Sequence, residues 1–451
     1  MAVPAKQHAL KVADQLGSEG VFYLKGQVFA ERDDTDYELP FRQESNFFYV
    51  TGVNEPDFHF VFDLNHRKSI LFAPPVNQDA VIWMGLPPTL EELVQKYDVD
   101  EAYYSDQLES QLEKLSPSVI HVFDVYDLSK SFPAAWRSNL VYEKLRTALA
   151  EARVFKTEWE IEALRKINII SSEAHIELMK SIRPGMTEGE LYALFQYHAA
   201  RKGAFNQSYL PIMACGMNAA TLHYNRNSDV LDAADPHQMF LVDAGAELNC
   251  YASDITRTYP SGGKFSPEAK TIYEIVLAMQ EASFALIKPG VEWEDVHLKA
   301  MHVAAEGLAK CGILKGTPQE LVDNHIVAGF FPHGLGHLMG IDVHDVGGFP
   351  GGKQRLTAPG LKNLRLRRQL QPNMVVTVEP GIYFCDFIIS PLLQDPATAK
   401  FVDQEQLARY RKVGGVRIED DIVITETGFD NLTRVPKTVA DIEAVMAPGR
   451  V

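Results

Sequence analysis

One stretch constrains this chain more than any other. Residues Phe331 to Gly348 read Phe-Pro-His-Gly-Leu-Gly-His-Leu-Met-Gly-Ile-Asp-Val-His-Asp-Val-Gly-Gly, which sets His333, His337 and His344 among five glycines. Three imidazoles this close point to metal or acid–base work, because neutral imidazole is both a common ligand and a proton carrier near neutral pH. The glycines suit a backbone that turns tightly or lets a ligand come close. A helical His-Glu-x-x-His zinc motif is excluded, since Gly334 and Gly336 interrupt the spacing. Taken alone, the stretch also fits a glycine-rich turn with incidental surface histidines, so the acids elsewhere in the chain must decide.

Those acids sit on strand-like segments. Gln238–Pro260 reads as two strands around a turn near Leu248-Asn249, and a hairpin centred there pairs Asp243 with Asp254, with Cβ atoms about 5 Å apart on one face. Two carboxylates that close repel unless a cation lies between them. Met374–Val378 reads as a buried strand ended by Glu379-Pro380-Gly381. Val416–Val423 reads as another, in which alternation puts Arg417 and Glu419 on one face. Asp243, Asp254, His337, Glu379 and Glu419 together make four carboxylates and one imidazole. That donor set suits Mn²⁺ or a similar divalent ion better than structural zinc, which favours Cys and His. It is large enough to hold two metals sharing a water, about 3.5–4 Å apart.

Bulk properties fit this reading. A chain of 451 residues is expected to form more than one domain. Its net charge of −17, from 43 basic and 60 acidic residues, argues against nucleic acid or an anionic membrane as the main partner. No apolar run approaches the ~18 residues of a membrane-spanning helix, and the first residues lack a signal-peptide core. The four cysteines form no Cys-x-x-Cys pair and read as free thiols, so a cytoplasmic location is expected.

Residues 1–151 show an α/β texture. Val21–Leu24, Phe47–Val50, Phe58–Phe62, Ser69–Phe72 and Val119–Val125 read as strands, and a helix follows Pro87-Pro88-Thr89. Trp83-Met84-Gly85 reads as core or interface. Residues 152–451 form the second domain, opened by the capping box Thr157–Glu160 and an amphipathic helix through Ile161, Leu164, Ile167, Ile170 and Ala174. Within it a weak repeat appears. Ser181–Gly185 ends one helix before a Thr187-capped second, and Leu286–Gly290 ends another before one starting near Glu292.

At these motifs the chain resembles the prolidases, the Xaa-Pro dipeptidases among the pita-bread metallopeptidases that also include methionine aminopeptidase and aminopeptidase P. The resemblance runs along nearly the whole chain. It is strongest in the histidine stretch, in Leu-Gln-Pro-Asn-Met-Val-Val-Thr-Val-Glu-Pro-Gly-Ile-Tyr-Phe and in Gly-Gly-Val-Arg-Ile-Glu-Asp-Asp. It implies a duplicated, pseudo-twofold α+β catalytic domain after an α/β N-terminal domain that serves dimerisation and covers the site. It implies two divalent ions per subunit, with Mn²⁺ expected. Asp243 would bind one, His337 and Glu379 the other, and Asp254 and Glu419 would bridge. A bridging hydroxide would attack the carbonyl before proline, and Glu379 would carry the proton to the leaving nitrogen. His344 and His223 match substrate-contacting positions, His333 reads as a pocket histidine, and Arg417 would stabilise charge. Arg365 matches the prolidase arginine that grips the dipeptide carboxylate, with Arg367 and Arg368 beside it. Asn373 stands where the family commonly has Gly.

The leading expectation is therefore hydrolysis of Xaa-Pro dipeptides by a homodimer acting on small peptides. The nearest rival is an Xaa-Pro aminopeptidase acting on longer peptides. A rival of another class is a non-catalytic interaction protein on the same scaffold, although all five ligand positions are filled. Trp83 is a candidate contact from a partner subunit.

Overall fold

The computed structural model describes residues 3–123, 128 and 132–447. The chain divides into two units, Met1–Val154 and Phe155–Val451.

The first unit is built on a six-stranded mixed sheet in the spatial order Glu101–Tyr104, Lys68–Ala73, His59–Asp63, Val21–Lys25, Ile120–His121, Leu140–Val141. One face buries Tyr23, Val61, Phe72 and Ile120 in a common core. The strands expected at Val21–Leu24, Phe58–Phe62 and Ser69–Phe72 are present. Phe47–Val50 is instead inside a helix, Ser45–Thr51. The Glu44 carboxylate accepts the Asn46 and Phe47 N–H groups and so caps a helix that short apolar runs alone cannot reveal. Of Val119–Val125, only Ile120–His121 is a described strand, and Asp124 and Val125 lie outside the described residues. Trp83 is 82% exposed on the short helix Val81–Met84, beside exposed Ile82, Met84 and Leu86, so it is not core.

The second unit repeats one plan twice. Helices Glu158–Ser181 and Glu188–Ala200 pack together, each opened by a Thr…Glu capping box, and they accompany an antiparallel sheet of Ile212–Cys215, Met239–Asp243 and Thr256–Pro260. Helices Pro267–Phe284 and Trp293–Lys310 likewise accompany Val375–Val378, Asp420–Ile424 and Phe429–Asn431. The α/β first unit and duplicated α+β second unit are the fold class expected. Among the described residues, no helix is long and apolar enough to cross a membrane.

Two hairpins carry the acids, and both correct the expected geometry. In the first, Asn249 and Cys250 both have positive φ, 50° and 60°, as a two-residue primed turn requires. The turn is therefore one residue later than expected, and Asp243 faces Thr256. Continuing that register puts Asp254 opposite Gly245, where a Cβ would lie 1.8 Å from the Ser253 carbonyl oxygen. In the second, the segment expected as one strand breaks into Gly415–Arg417 and Asp420–Ile424, and its partner breaks at Glu379-Pro380. Proline cannot donate to a ladder, which explains the change there. The pairs Val378↔Asp420 and Gly381↔Arg417 place Glu379 directly across from Glu419. The directly opposed acids are thus the two glutamates rather than the two aspartates.

Candidate metal centre

Each acid of the centre lies where a strand ends or breaks, so its side chain leaves the ladder and enters a shared cavity. That cavity has a volume of about 660 Å³, within the usual range for small-ligand sites. Its lining includes Asp243, Asp254, His337, Glu379 and Glu419, and also His223, His333, His344, Arg365 and Arg417. The structure thus brings every sequence-predicted site residue to one cavity. Ligand atoms of Asp254, His337 and Glu419 lie within 4.8 Å of one another.

The histidine is prepared as a ligand. His337 Nδ1 lies 3.0 Å from the Leu338 carbonyl oxygen, a contact that places the proton on Nδ1 and leaves the Nε2 lone pair facing the acids. Nε2 is 3.4 Å from Asp254 Oδ2 and 3.6 Å from Glu379 Oε1. Burial lowers the pKa of this imidazole, so it stays neutral. A neutral lone pair turned towards carboxylate oxygens is the arrangement that a cation between them satisfies. The acids say the same. Burial raises Asp254 and Glu419 well above the ordinary carboxylate range, and neighbouring carboxylates raise them further. Burial pushes Glu379 up to about 7, with Asp254 adding to the rise. Four acids and one neutral imidazole at these positions fit a divalent-metal centre.

Around this ring lies a set of hydrogen-bond donors that hold the ligands. Tyr209 donates its hydroxyl to Asp243 Oδ1 at 2.6 Å. Arg417 Nη2 pairs with Asp243 Oδ2, while Nη1 donates to the Tyr383 hydroxyl at 2.9 Å and Nε to Thr256 Oγ1 at 3.1 Å. Thr256 Oγ1 in turn donates to Glu419 Oε2 at 2.6 Å. Thr377 Oγ1 accepts the His337 N–H at 3.1 Å and lies 3.5 Å from Glu379 Oε1. The Asp254 N–H donates to Asp421 Oδ2 at 2.8 Å. Sequence reasoning missed Tyr209, Thr256, Thr377, Tyr383 and Asp421. The strand period of two was a usable signal for some of them: Thr256 is two past Asp254, and Thr377 is two before Glu379, the same offset that drew attention to Arg417. Nothing in the spacing marks Tyr209.

The histidine loop is pinned from several sides. Gly336 sits where a Cβ would come within 2.0 Å of the Thr377 carbonyl oxygen, so only glycine lets the loop lie against that strand. His297, buried on the helix Trp293–Lys310, accepts the Leu335 N–H through Nδ1 at 3.1 Å. Lys156 and Asp345 form a buried ion pair at 2.9 Å, both side chains 1% exposed, just beyond His344. The His344 ring stands edge-on to His337, with centroids 4.4 Å apart, and burial and the neighbouring His337 pull its pKa down to about 3. His333 Nε2 meets the Tyr383 hydroxyl at 2.8 Å and its Nδ1 lies 3.8 Å from Glu379 Oε2, which makes it a wall residue rather than a ligand. Of the three neighbouring arginines, Arg365 lines the cavity. Arg367 pairs with Glu294 at 2.7 Å, and Arg368 donates to the Gly347 carbonyl at 2.7 Å.

Known proteins share this architecture. Residues 162–426 match the description Metallopeptidase family M24, and residues 5–123 match Aminopeptidase P, N-terminal domain. A probable Xaa-Pro aminopeptidase of Botryotinia fuckeliana is 44% identical over 98% of this chain and 96% of its own length, and one of Paracoccidioides lutzii is equally similar. Among solved structures, aminopeptidase P from E. coli with the inhibitor Pro-Leu superposes with a TM-score of 0.84 at 33% identity, covering 99% of this chain and 98% of that one. Pseudomonas aeruginosa aminopeptidase PepP gives 0.84 at 32% identity over 99% and 98%. These relatives are aminopeptidases, so the resemblance to prolidase in particular is not supported. The shared motifs build the metal ring, which both specificities need, and therefore could not separate them. With the duplicated fold, the metal-type ring and matches along nearly its full length, the chain belongs to metallopeptidase family M24.

Proposed function

We propose that this protein is an Xaa-Pro aminopeptidase, removing the first residue of peptides whose second residue is proline. The observation that carries this reading is the single cavity in which the buried Asp243, Asp254 and Glu419, the half-buried Glu379 and the neutral His337 converge, together with relatives of that name. The identity of the metal is proposed as manganese from the oxygen-rich donor set.

Asp243, Asp254, His337, Glu379 and Glu419 would hold two divalent ions, which when bound supply a Lewis acid and a water of lowered pKa. The protein's own groups do the rest. The hydrogen bonds of Tyr209, Arg417 and Thr256 hold the acid oxygens of Asp243 and Glu419 in place. Glu379, which follows the last residue of its strand and lines the cavity, would take a proton and deliver it to the prolyl nitrogen as the bond breaks. His223 and His344 line the cavity where a carbonyl oxygen of substrate can accept their N–H groups. Ile212, Leu222, Val343 and His333 offer a mostly apolar wall for the prolyl ring.

Hydrolysis of Gly-Pro-Pro and Ala-Pro in defined Mn²⁺ tests this. The tripeptide is expected to be the better substrate. Exclusive cleavage of Ala-Pro would instead restore the dipeptidase reading, which the position of Arg365 in the cavity favours. An Asp254→Asn variant with unchanged properties and a purified protein free of metal would support a binding module.

A further inference from the structure

The cavity has a polarity that the metal centre does not explain. Its floor is acidic, while Arg355, Lys362 and Arg365 line it as well, all three exposed at its mouth. In a chain of net charge −17, three cations on one short loop are unusual company for one another. Among the described residues none of the three forms an ion pair, although their neighbour Arg367 does. Partial desolvation of the guanidinium against the cavity and then the charge of Arg355 pull Arg365 below its ordinary pKa.

The loop is also built to keep them there. Arg355 donates Nη1 to the Leu364 carbonyl at 2.8 Å and lies over the Phe349 ring at 5.1 Å. Asn363 Nδ2 donates to the Pro332 carbonyl at 2.9 Å, and the Arg367 N–H to the Gly348 carbonyl at 2.8 Å. Gly348 lies so close to this segment that a Cβ would come within 2.0 Å of the Arg365 carbonyl oxygen. A pinned loop presents its charges at a small ordering cost. One arginine suffices to grip one carboxylate through paired hydrogen bonds. In a peptide longer than a dipeptide the proline carboxyl is tied up as an amide, so the nearest carboxylate lies one residue, about 3.5 Å, further along, and Arg355 and Lys362 are the further cations that this loop brings to the cavity.

Resting on the aminopeptidase reading, we propose that Arg355 and Lys362 form a subsite for a carboxylate on the residue after proline. The carboxylate belongs either to the C-terminus of a tripeptide or to an acidic side chain of a longer peptide.

Two matched substrate pairs separate those sources. Ala-Pro-Ala against its C-terminal amide reads the terminal carboxylate. Ala-Pro-Glu-amide against Ala-Pro-Gln-amide reads the side chain. A preference of about tenfold in kcat/KM for the anionic member of either pair is expected, the size of one charge-assisted hydrogen bond. It should shrink in 1 M salt, where charges are screened within about 3 Å. Arg355→Glu and Lys362→Glu should invert that preference, an outcome that poor folding cannot mimic. Equal cleavage within both pairs overturns the subsite and leaves the aminopeptidase reading intact. A preference that persists unchanged in both variants also overturns it. Failure to cleave any of the four tripeptides, with Ala-Pro cleaved, overturns the aminopeptidase reading and the subsite with it.

Discussion

Arg417 shows how much at the site depends on atoms that are not ligands. One guanidinium joins Asp243, Tyr383 and Thr256, and Thr256 passes the connection on to Glu419. Lysine keeps the charge but cannot reach three partners in a plane. Arg417→Lys is therefore expected to lower metal affinity or activity by about 10- to 100-fold, read by metal titration and by kcat at saturating metal. Tyr209→Phe removes a single donor from Asp243 and should fall at the lower end of that range. Two other residues contribute to acid stability. Burial lowers His175 and His297 from 6.5 to about 4, and both are held neutral, His175 facing the Ala244 carbonyl and His297 accepting an N–H. The unfolded chain takes up these protons first. The stabilisation is therefore complete above pH 6.5 and is lost as pH falls from 6.5 towards 4, at about 1.4 kcal/mol per pH unit for each histidine. Denaturant titration of the metal-free protein at pH 7, 5.5 and 4.5 checks the slope, and His297→Gln should reduce it.

At the scale of elements, the site is made by interruptions. The Glu379-Pro380 break and the Ile418-Glu419 break face each other, and the two glutamates leave the ladder together. The turn before this hairpin holds Asn373 at φ 67°, with its N–H on Ile424 and its carbonyl receiving Lys156 N–H. A left-handed residue explains why asparagine can stand where the family commonly has glycine. Asn373→Gly should leave stability within a few tenths of a kcal/mol, while Asn373→Val should cost ~1–2 kcal/mol, read by denaturant midpoint. Gly336→Ala pushes a methyl group into the Thr377 carbonyl. It should cost roughly 1–3 kcal/mol and shift His337, so activity should fall further than stability alone explains.

For the whole molecule, the proposed metal centre would tie folding to metal supply. Gathering buried acids is unfavourable without a cation, so the metal-bound form should be the more stable one. At a hundredfold excess of metal over its dissociation constant the gain is about 2.7 kcal/mol. Thermal unfolding with chelator and with graded Mn²⁺ measures it, and a midpoint indifferent to metal would contradict the assignment of the centre. The first unit carries a separate expectation. Ile82, Trp83, Met84 and Leu86 are exposed on one short segment, and we propose that a second copy of this chain covers them. Sedimentation should show a dimer, and Trp83→Asp should weaken it.

The division of labour between sequence and tertiary structure follows from range. Side-chain chemistry is local, so His337, the four acids, Arg417 and the Thr157 and Thr187 caps were legible in the order of residues. Strand period alone could have added Thr256 and Thr377. What the chain order could not supply were the quantities set by distant partners. The register that turns Asp243 towards Thr256 depends on two left-handed residues at the hairpin tip. The helix at Ser45–Thr51 won over its strand-like composition through a carboxylate cap and burial. Tyr209 reaches Asp243, and Lys156 reaches Asp345 across 189 positions, only because folding brings them together. Residue types determined which chemistry is available here. Packing determined which oxygen faces which nitrogen, and no spacing along a chain encodes that distance.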